Sequence, residues 1–391
     1  MLKKRYLQAY IEKDIRKKMV FVGGPRQVGK TTLAQLIGKE EFVKFSCLNW
    51  DNPADRRKIL AMQFDPVATL IIFDEIHKYR KWKNYIKGQF DTYRDRFSIL
   101  VTGSARLDVY RKGGDSLMGR YYYYRLHPFS LSEVLGSGVP IEPFRDITLQ
   151  THPQSRAQFE RLLAFGGFPE PFLSKDGETL RRWHNQRIER LIKEDIRDIE
   201  NIRDLSALQI LVEMLPPRAG ALLSLNALRE DLAVAHGTIA LWMDILERFY
   251  YHFRVYPFAS SAIKSLRKEP KLYLWDWSQV PEAGSRLENM VASHLLKLCH
   301  FLYDAQGHKA ELFYLRDKDQ REVDFLVTVD KKPWMAIEVK LSDQTPAKQL
   351  HYFGDRLKIP FKYQLVQTEN VDFLQDGIRV ISADKFLNAL V

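Results

Sequence analysis

Apolar positions in the first part of this chain gather in short unbroken runs rather than alternating with polar ones. Met19-Val20-Phe21-Val22, Leu70-Ile71-Ile72-Phe73 and Phe97-Ser98-Ile99-Leu100-Val101 are such runs. They predict strands buried on both faces, as in a parallel sheet. Residues 42–48 and 121–126 predict two further strands. Helical segments are expected between the strands: after residue 31, through the polar stretch that follows Phe73, and from about 107 to 119. Residues 1–18 read as a basic amphipathic helix leading into the first strand. This β/α alternation predicts a parallel sheet flanked by helices, with ligands at the carboxyl ends of the strands.

Beyond residue 130 the pattern changes. Residues 155–204 look helical, interrupted by Phe165-Gly166-Gly167-Phe168-Pro169. A further helix runs to about Met214, Pro216-Pro217 breaks it, and two short helices follow. Residues 226–232 and then Ala235-His236-Gly237-Thr238-Ile239 have helix-turn-helix spacing. The second of these helices, 237–247, contains no Lys or Arg. Base readout usually recruits such side chains, so a winged-helix scaffold is favoured over a sequence reader. From Lys271 onward strands dominate. Four segments are therefore expected: 1–130, a helical lid at 131–204, a winged-helix-like segment at 205–265, and an α/β domain at 266–391.

The clearest chemistry lies between the first strand and its helix. Gly24-Pro25-Arg26-Gln27-Val28-Gly29-Lys30-Thr31 is a complete G-x-x-x-x-G-K-T loop, followed by Thr32. Its glycines let backbone N–H groups curl around a phosphate, and the helix N-terminus adds its positive dipole. Lys30 is expected to reach the β- and γ-phosphates of ATP, and the Thr31 hydroxyl to ligate Mg²⁺. Asp74-Glu75 closes the buried run at 70–73. At that place Asp74 serves the Mg²⁺ shell and Glu75 polarises the attacking water. A chance Gly-rich turn does not bring this second half with it.

Composition adds bounds. The two cysteines, Cys47 and Cys299, lie far apart, which suggests a reducing compartment and no structural metal site. No apolar run approaches the roughly 18 residues of a membrane span. Residues 1–6 lack a signal-peptide core. A cytoplasmic protein is expected. The net charge of +11 is uneven: residues 1–130 hold 26 Lys/Arg against 13 Asp/Glu, so the whole excess sits there. Between Lys78 and Arg96, basic residues alternate with Tyr79, Trp82, Tyr85 and Tyr93. That mixture suits a DNA backbone with stacked bases, or a solvated helix whose aromatics face the core.

The first 130 residues resemble the AAA+ class of P-loop ATPases. The resemblance implies a polar sensor residue after the strand ending at Val101, with Ser104 preferred over Thr102. It also implies an arginine finger acting on a neighbouring subunit, at Arg120 in Leu117-Met118-Gly119-Arg120. A homo-oligomer, such as a hexameric ring, follows from that role. The phosphate loop, Phe73-Asp74-Glu75-Ile76-His77-Lys78, Thr102-Gly103-Ser104 and Gly166-Gly167-Phe168-Pro169 together resemble one large prokaryotic AAA+ group. Its members carry a C-terminal region classed as a domain of unknown function.

That C-terminal region has its own resemblance. Arg321-Glu322-Val323-Asp324-Phe325 and Ala336-Ile337-Glu338-Val339-Lys340 resemble the PD-(D/E)XK nuclease core, a restriction-endonuclease-like α/β fold. The resemblance implies metal binding by Asp324 and Glu338, a water-orienting role for Lys340, and Glu288 as the upstream acidic residue. The plainer reading is a solvated hairpin with ordinary charges. Two functions are carried forward. One is an ATP-driven, ring-forming motor on DNA with an attached nuclease-like domain. The other is a regulatory ATPase switch controlling protein–protein contacts, with an inactive C-terminal fold.

Overall fold

The computed structural model describes residues 4–103, 117–138, 140–196, 202, 204–259 and 268–391. The chain divides into two units, residues 1–127 with 304–306, and residues 128–303 with 307–391.

The first unit is built on five parallel strands: β1 (Met19–Gly23), β2 (Phe45–Asn49), β3 (Leu70–Asp74), β4 (Ser98–Thr102) and β5 (Tyr121–Arg125). Their spatial order is β2-β3-β4-β1-β5. β1 and β3 are buried along their whole length, as unbroken apolar runs require. Phe73 is fully buried; truncation to Ala would cost about 3–5 kcal/mol. Helices α1 (Gln8–Asp14), α2 (Lys30–Glu41), α3 (Pro53–Leu60) and α4 (Trp82–Tyr93) belong to this unit. α1 is shorter than the expected helix over 1–18. The expected helix from 107 falls largely outside the described residues, and Leu117–Gly119 form a turn.

The basic stretch around α4 resolves one open alternative. Trp82 and Ile86 are core residues, and Tyr79, Tyr85 and Tyr93 pack against the same core. The Tyr79 ring stacks on Trp50 at 4.8 Å, and the Tyr85 hydroxyl donates to the Ile59 carbonyl at 2.6 Å. These aromatics are spent on the interior and offer no stacking platform for bases. Arg80, Lys81, Arg94 and Arg96 remain exposed on the outer side.

The second unit joins helices to a mixed sheet of eight strands. The helices are α5 (Leu131–Leu135), α6 (Ser155–Phe165), α7 (Pro169–Ser174), α8 (Gly177–Arg190), α9 (Leu205–Met214), α10 (Leu225–Asp231), α11 (His236–Arg248), α12 (Ala283–Gln306), α13 (Lys348–Leu357) and α14 (Ala383–Asn388). The strands are β6 (His252–Pro257), β7 (Lys271–Leu274), β8 (Ala310–Arg316), β9 (Glu322–Val329), β10 (Lys332–Lys340), β11 (Phe361–Val366), β12 (Asp372–Gln375) and β13 (Ile378–Ser382). They lie in the order β12-β13-β11-β10-β9-β8-β6-β7. α10 and α11 occupy the positions of the expected helix pair. β6 and β7, on either side of residue 265, pair antiparallel with each other, and β6 also pairs with β8. Leu272 and Leu274 of β7 share one core with α9 to α11.

The Gly-Gly-Phe-Pro motif forms a packing joint in this unit. Gly166 has φ +74°, and a Cβ there would lie 2.7 Å from Asp276 Oδ1. Only glycine tolerates both conditions. The Arg187 guanidinium covers the Phe168 ring at 4.3 Å, and Pro169 opens α7.

Candidate functional site

Strand register assembles the first site. Asn49 on β2, Asp74 on β3 and Thr102 on β4 are direct neighbours across three parallel strands, each the last residue of its strand. Their side chains converge on the Asp74 carboxylate. Thr102 Oγ1 donates to Oδ1 at 2.5 Å, and Asn49 Nδ2 donates to Oδ2 at 3.1 Å. The Thr31 hydroxyl, from the first turn of α2, donates to the same Oδ2 at 3.0 Å. Asp74 is only 4% exposed, so these donors stabilise a buried charge that would otherwise be costly.

The phosphate loop follows β1 at the same edge of the sheet. Gly24 has φ +142°, and a Cβ there would sit 2.4 Å from the Leu126 carbonyl oxygen. No side chain fits that approach. Gly29 caps α2 with φ 97°. Lys30 Nζ donates to the Gly24 and Pro25 carbonyls at 3.0 and 2.7 Å, so the ammonium lies along the loop. The Arg5 guanidinium, itself buried, donates to the Val28 carbonyl at 2.8 Å and to the His127 carbonyl. It braces the loop from behind. Nothing local in the sequence marks Arg5 or Asn49; both act through contacts distant along the chain.

Glu75 adopts a left-handed backbone, φ 57°. Its N–H donates to the Thr102 carbonyl, which ties it to the Asp74 row. The carboxylate has Lys78 Nζ at 3.7 Å and His77 Nε2 at 3.6 Å, and its Oε2 is buried without a hydrogen bond. Burial pushes this carboxyl above its ordinary range, against the opposing Lys30 charge. Ser104 lies outside the described residues. Thr102, the other sensor candidate, bonds Asp74.

Arg120 precedes β5. Tyr121 pairs with Met19 at the start of β1, so Arg120 sits at the amino end of the sheet. Four residue steps separate that end from the row at Asp74, about 13 Å at roughly 3.3 Å per residue. The guanidinium pairs with Asp91 of α4, Nε to Oδ1 at 2.8 Å and Nη2 to Oδ2 at 3.2 Å.

A second constellation lies in the eight-stranded sheet. Glu288 on α12, Asp324 on β9, and Glu338 and Lys340 on β10 come together with Glu322. At their centre lies Lys271 of β7, which sequence inspection does not single out. Its Nζ is 3.2 Å from Glu288 Oε1, 2.7 Å from Glu322 Oε1 and 3.3 Å from Asp324 Oδ1. Lys271 is 4% exposed. The Tyr273 hydroxyl also donates to Glu288 Oε1 at 2.7 Å, and Asp324 Oδ2 accepts the Val339 N–H at 2.9 Å. Lys340 Nζ meets Glu338 Oε1 at 2.6 Å, as expected for neighbours on one strand face; Glu338 Oε2 is buried without a hydrogen bond. Burial first, and the Asp324 charge second, push the Glu288 and Glu338 carboxyls upward. The acidic residues thus meet as expected, but around an ammonium. Among the described residues no group of His, Cys, Asp or Glu is arranged to hold a metal ion.

Residues 16–135 match the model of a family described as an AAA domain. The first unit is accordingly an AAA-type P-loop fold. Residues 156–283 match a domain of unknown function, DUF8612, and residues 283–386 match another, DUF4143. The uncharacterized protein MJ1637 of Methanocaldococcus jannaschii is 24% identical over 408 residues, spanning 91% of this chain and 84% of its own. The uncharacterized protein Rv2008c of Mycobacterium tuberculosis is 23% identical over 342 residues, 83% of this chain and 70% of its own. Among solved structures, the Thermotoga maritima RuvB Holliday junction branch migration motor aligns at 16% identity. The alignment covers 67% of this chain and 93% of that one, with a TM-score of 0.31. Among the described residues no helix is long and apolar enough to cross a membrane.

Proposed function

We propose that this chain is a Mg²⁺-dependent ATPase that works as a cytoplasmic homo-oligomer on DNA. The observation that carries the hydrolytic part is the row Asn49–Asp74–Thr102 with the Thr31 hydroxyl on Asp74. Hard oxygen donors in a buried, negatively charged corner suit Mg²⁺. Thr31 would hold the ion directly and Asp74 through its shell; when bound, Mg²⁺ neutralises charge on the β- and γ-phosphates. Backbone N–H groups of Gly24 and of residues 26–32, with Pro25 shaping the turn, would cradle the phosphates. Lys30 turns from the loop carbonyls to the γ-phosphate. Glu75 takes the proton of the attacking water, and its raised carboxyl brings the base closer to working pH.

Arg120 lies too far from its own Asp74 row to reach a phosphate there. Action as a finger would therefore require a second copy, and the proposed oligomer rests on that role. The exposed basic residues near α4 supply the DNA-facing charge. The second unit is read as a winged-helix-like segment followed by a nuclease-like module.

The rival reading, a nucleotide-controlled switch for protein contacts, is favoured by one observation: the aromatics that would stack bases are buried. ATP turnover measured without DNA and with single-stranded, duplex and branched DNA separates the two. Stimulation by DNA supports the motor. Unchanged turnover with every form supports the switch and removes DNA from the account.

A further inference from the structure

We infer that Lys271 is the resident cation of the nuclease-like cleft, standing where a divalent metal would stand and making the cleft a closed, non-cutting core. This rests on the nuclease-like reading of that module.

The ammonium is within 3.3 Å of one oxygen from each of Glu288, Glu322 and Asp324, residues on one helix and one strand. It is held on β7 in a fixed register: Lys271 pairs with Val255 of β6 and bridges to Leu222. Only 4% of its surface is exposed, so it is not a surface lysine that has drifted in. A buried ammonium persists only where anions compensate its lost hydration. Three carboxylates on one face and the Tyr314 ring at 5.9 Å provide that setting.

The acidic residues are equally committed. Both oxygens of Asp324 are taken, Oδ1 by Lys271 and Oδ2 by the Val339 N–H. Glu288 Oε1 accepts from both Lys271 and Tyr273. Lys340 compensates Glu338. A divalent ion at Glu288 and Asp324 would stand beside a fixed positive charge, a repulsion strongest where water is excluded. Among the described residues Glu338 Oε2 is buried without a hydrogen bond, and the Glu288 bonds all fall on Oε1; the oxygens left open on these two side chains do not replace the three-carboxylate set that Lys271 holds. The carboxylates that resemble a metal triad serve to seat the lysine. The module then keeps a nuclease-like shape for holding a partner, not for hydrolysis.

The test counts bound Mn²⁺ per chain by electron paramagnetic resonance, on full-length protein without nucleotide. The phosphate-loop site contributes equally to every variant. Wild type and Asp324→Asn should bind the same number of ions. Lys271→Met should bind one more, and the gain should vanish in Lys271→Met/Asp324→Asn. Lys271→Gln is the parallel variant if the methionine form does not fold, and the wild-type comparison stands without either. One ion fewer in Asp324→Asn than in wild type overturns the inference but leaves the nuclease-like reading intact. No extra ion in a folded Lys271 variant overturns the reading beneath it, because the carboxylates then lack metal-binding geometry.

Discussion

The Thr31 hydroxyl donates a hydrogen bond to Asp74 Oδ2 at 3.0 Å. This leaves the lone pairs of Thr31 Oγ1 facing away from Asp74 and makes that oxygen a better metal ligand. At the proposed Mg²⁺ site Asp74 would act on the ion through the threonine and bound water. Its orientation depends on Asn49 and Thr102, its neighbours in the sheet.

Asn49→Ala removes one of the donors that orient Asp74. Such supporting contacts are commonly worth about 10–100-fold in metal affinity or activity. The Mg²⁺ concentration for half-maximal ATP turnover should rise by about tenfold, with ATP binding little changed. A Mg²⁺ dependence equal to that of wild type would separate Asn49 from the site.

Arg120 and Asp91 form an exposed pair, which contributes little to stability. If Arg120 is the proposed arginine finger, Arg120→Ala should leave the unfolding temperature nearly unchanged while turnover falls by about 10³ or more. Mixing it with Glu75→Gln should restore part of the activity at shared interfaces. Absence of rescue, with a protein that stays monomeric in ATP, would count against the oligomer.

Local signals in the chain reach the phosphate loop, Asp74-Glu75 and the buried strands, because each is a contiguous pattern with its own chemistry. β1 and β3 fall within a residue of the apolar runs that predict them. Arg5, Asn49 and Lys271 are different. Arg5 binds a loop carbonyl 23 positions away, and Lys271 reaches Asp324 across 53. Nothing near them in sequence distinguishes them from ordinary surface residues. The aromatics around α4 fit either a core or a DNA surface until the packing of Tyr79 on Trp50 decides. β6 joins the C-terminal sheet through pairing with β8, which no period along the chain encodes.

The basic residues around α4, of which Lys81 is exposed and Lys83 and Lys87 are half-buried, should contact phosphates without reading bases. Reversing Lys81, Lys83 and Lys87 to Glu should weaken DNA binding similarly for all sequences and flatten its salt dependence by about one unit of slope per lost contact. Unchanged affinity would place the DNA contact elsewhere.

His252 and His294 should make the second unit sensitive to acid. Burial holds both pKa values down at about 4. His294 donates through Nδ1 to the Met290 carbonyl at 2.8 Å and accepts the Leu131 N–H on Nε2 at 3.1 Å; protonation would destroy the second bond. Unfolded histidine takes its proton near pH 6.5. With folded values below that, both groups favour folding above pH 6.5, and the contribution is lost as pH falls toward 4. Each is worth roughly 3 kcal/mol by linkage. The raised Glu288 and Glu338 carboxyls act in the opposite direction over much of this window, so the readout is a difference: the wild-type denaturant midpoint should fall relative to that of His294→Gln as pH drops from 6.5 to 4. A difference between wild type and His294→Gln that stays constant from pH 6.5 to 4 would contradict the buried, neutral assignment of His294.

The central claim is that Glu75 activates water for ATP hydrolysis beside a Mg²⁺ site formed by Thr31 and Asp74. The most direct measurement is ATP binding and phosphate release on the same preparation of Glu75→Gln. The account predicts ATP binding close to wild type and phosphate release lowered by about 10²–10⁴-fold, because an amide cannot take the proton of water. Lys30→Ala, run alongside, should lose turnover. Wild-type phosphate release from Glu75→Gln would contradict the account.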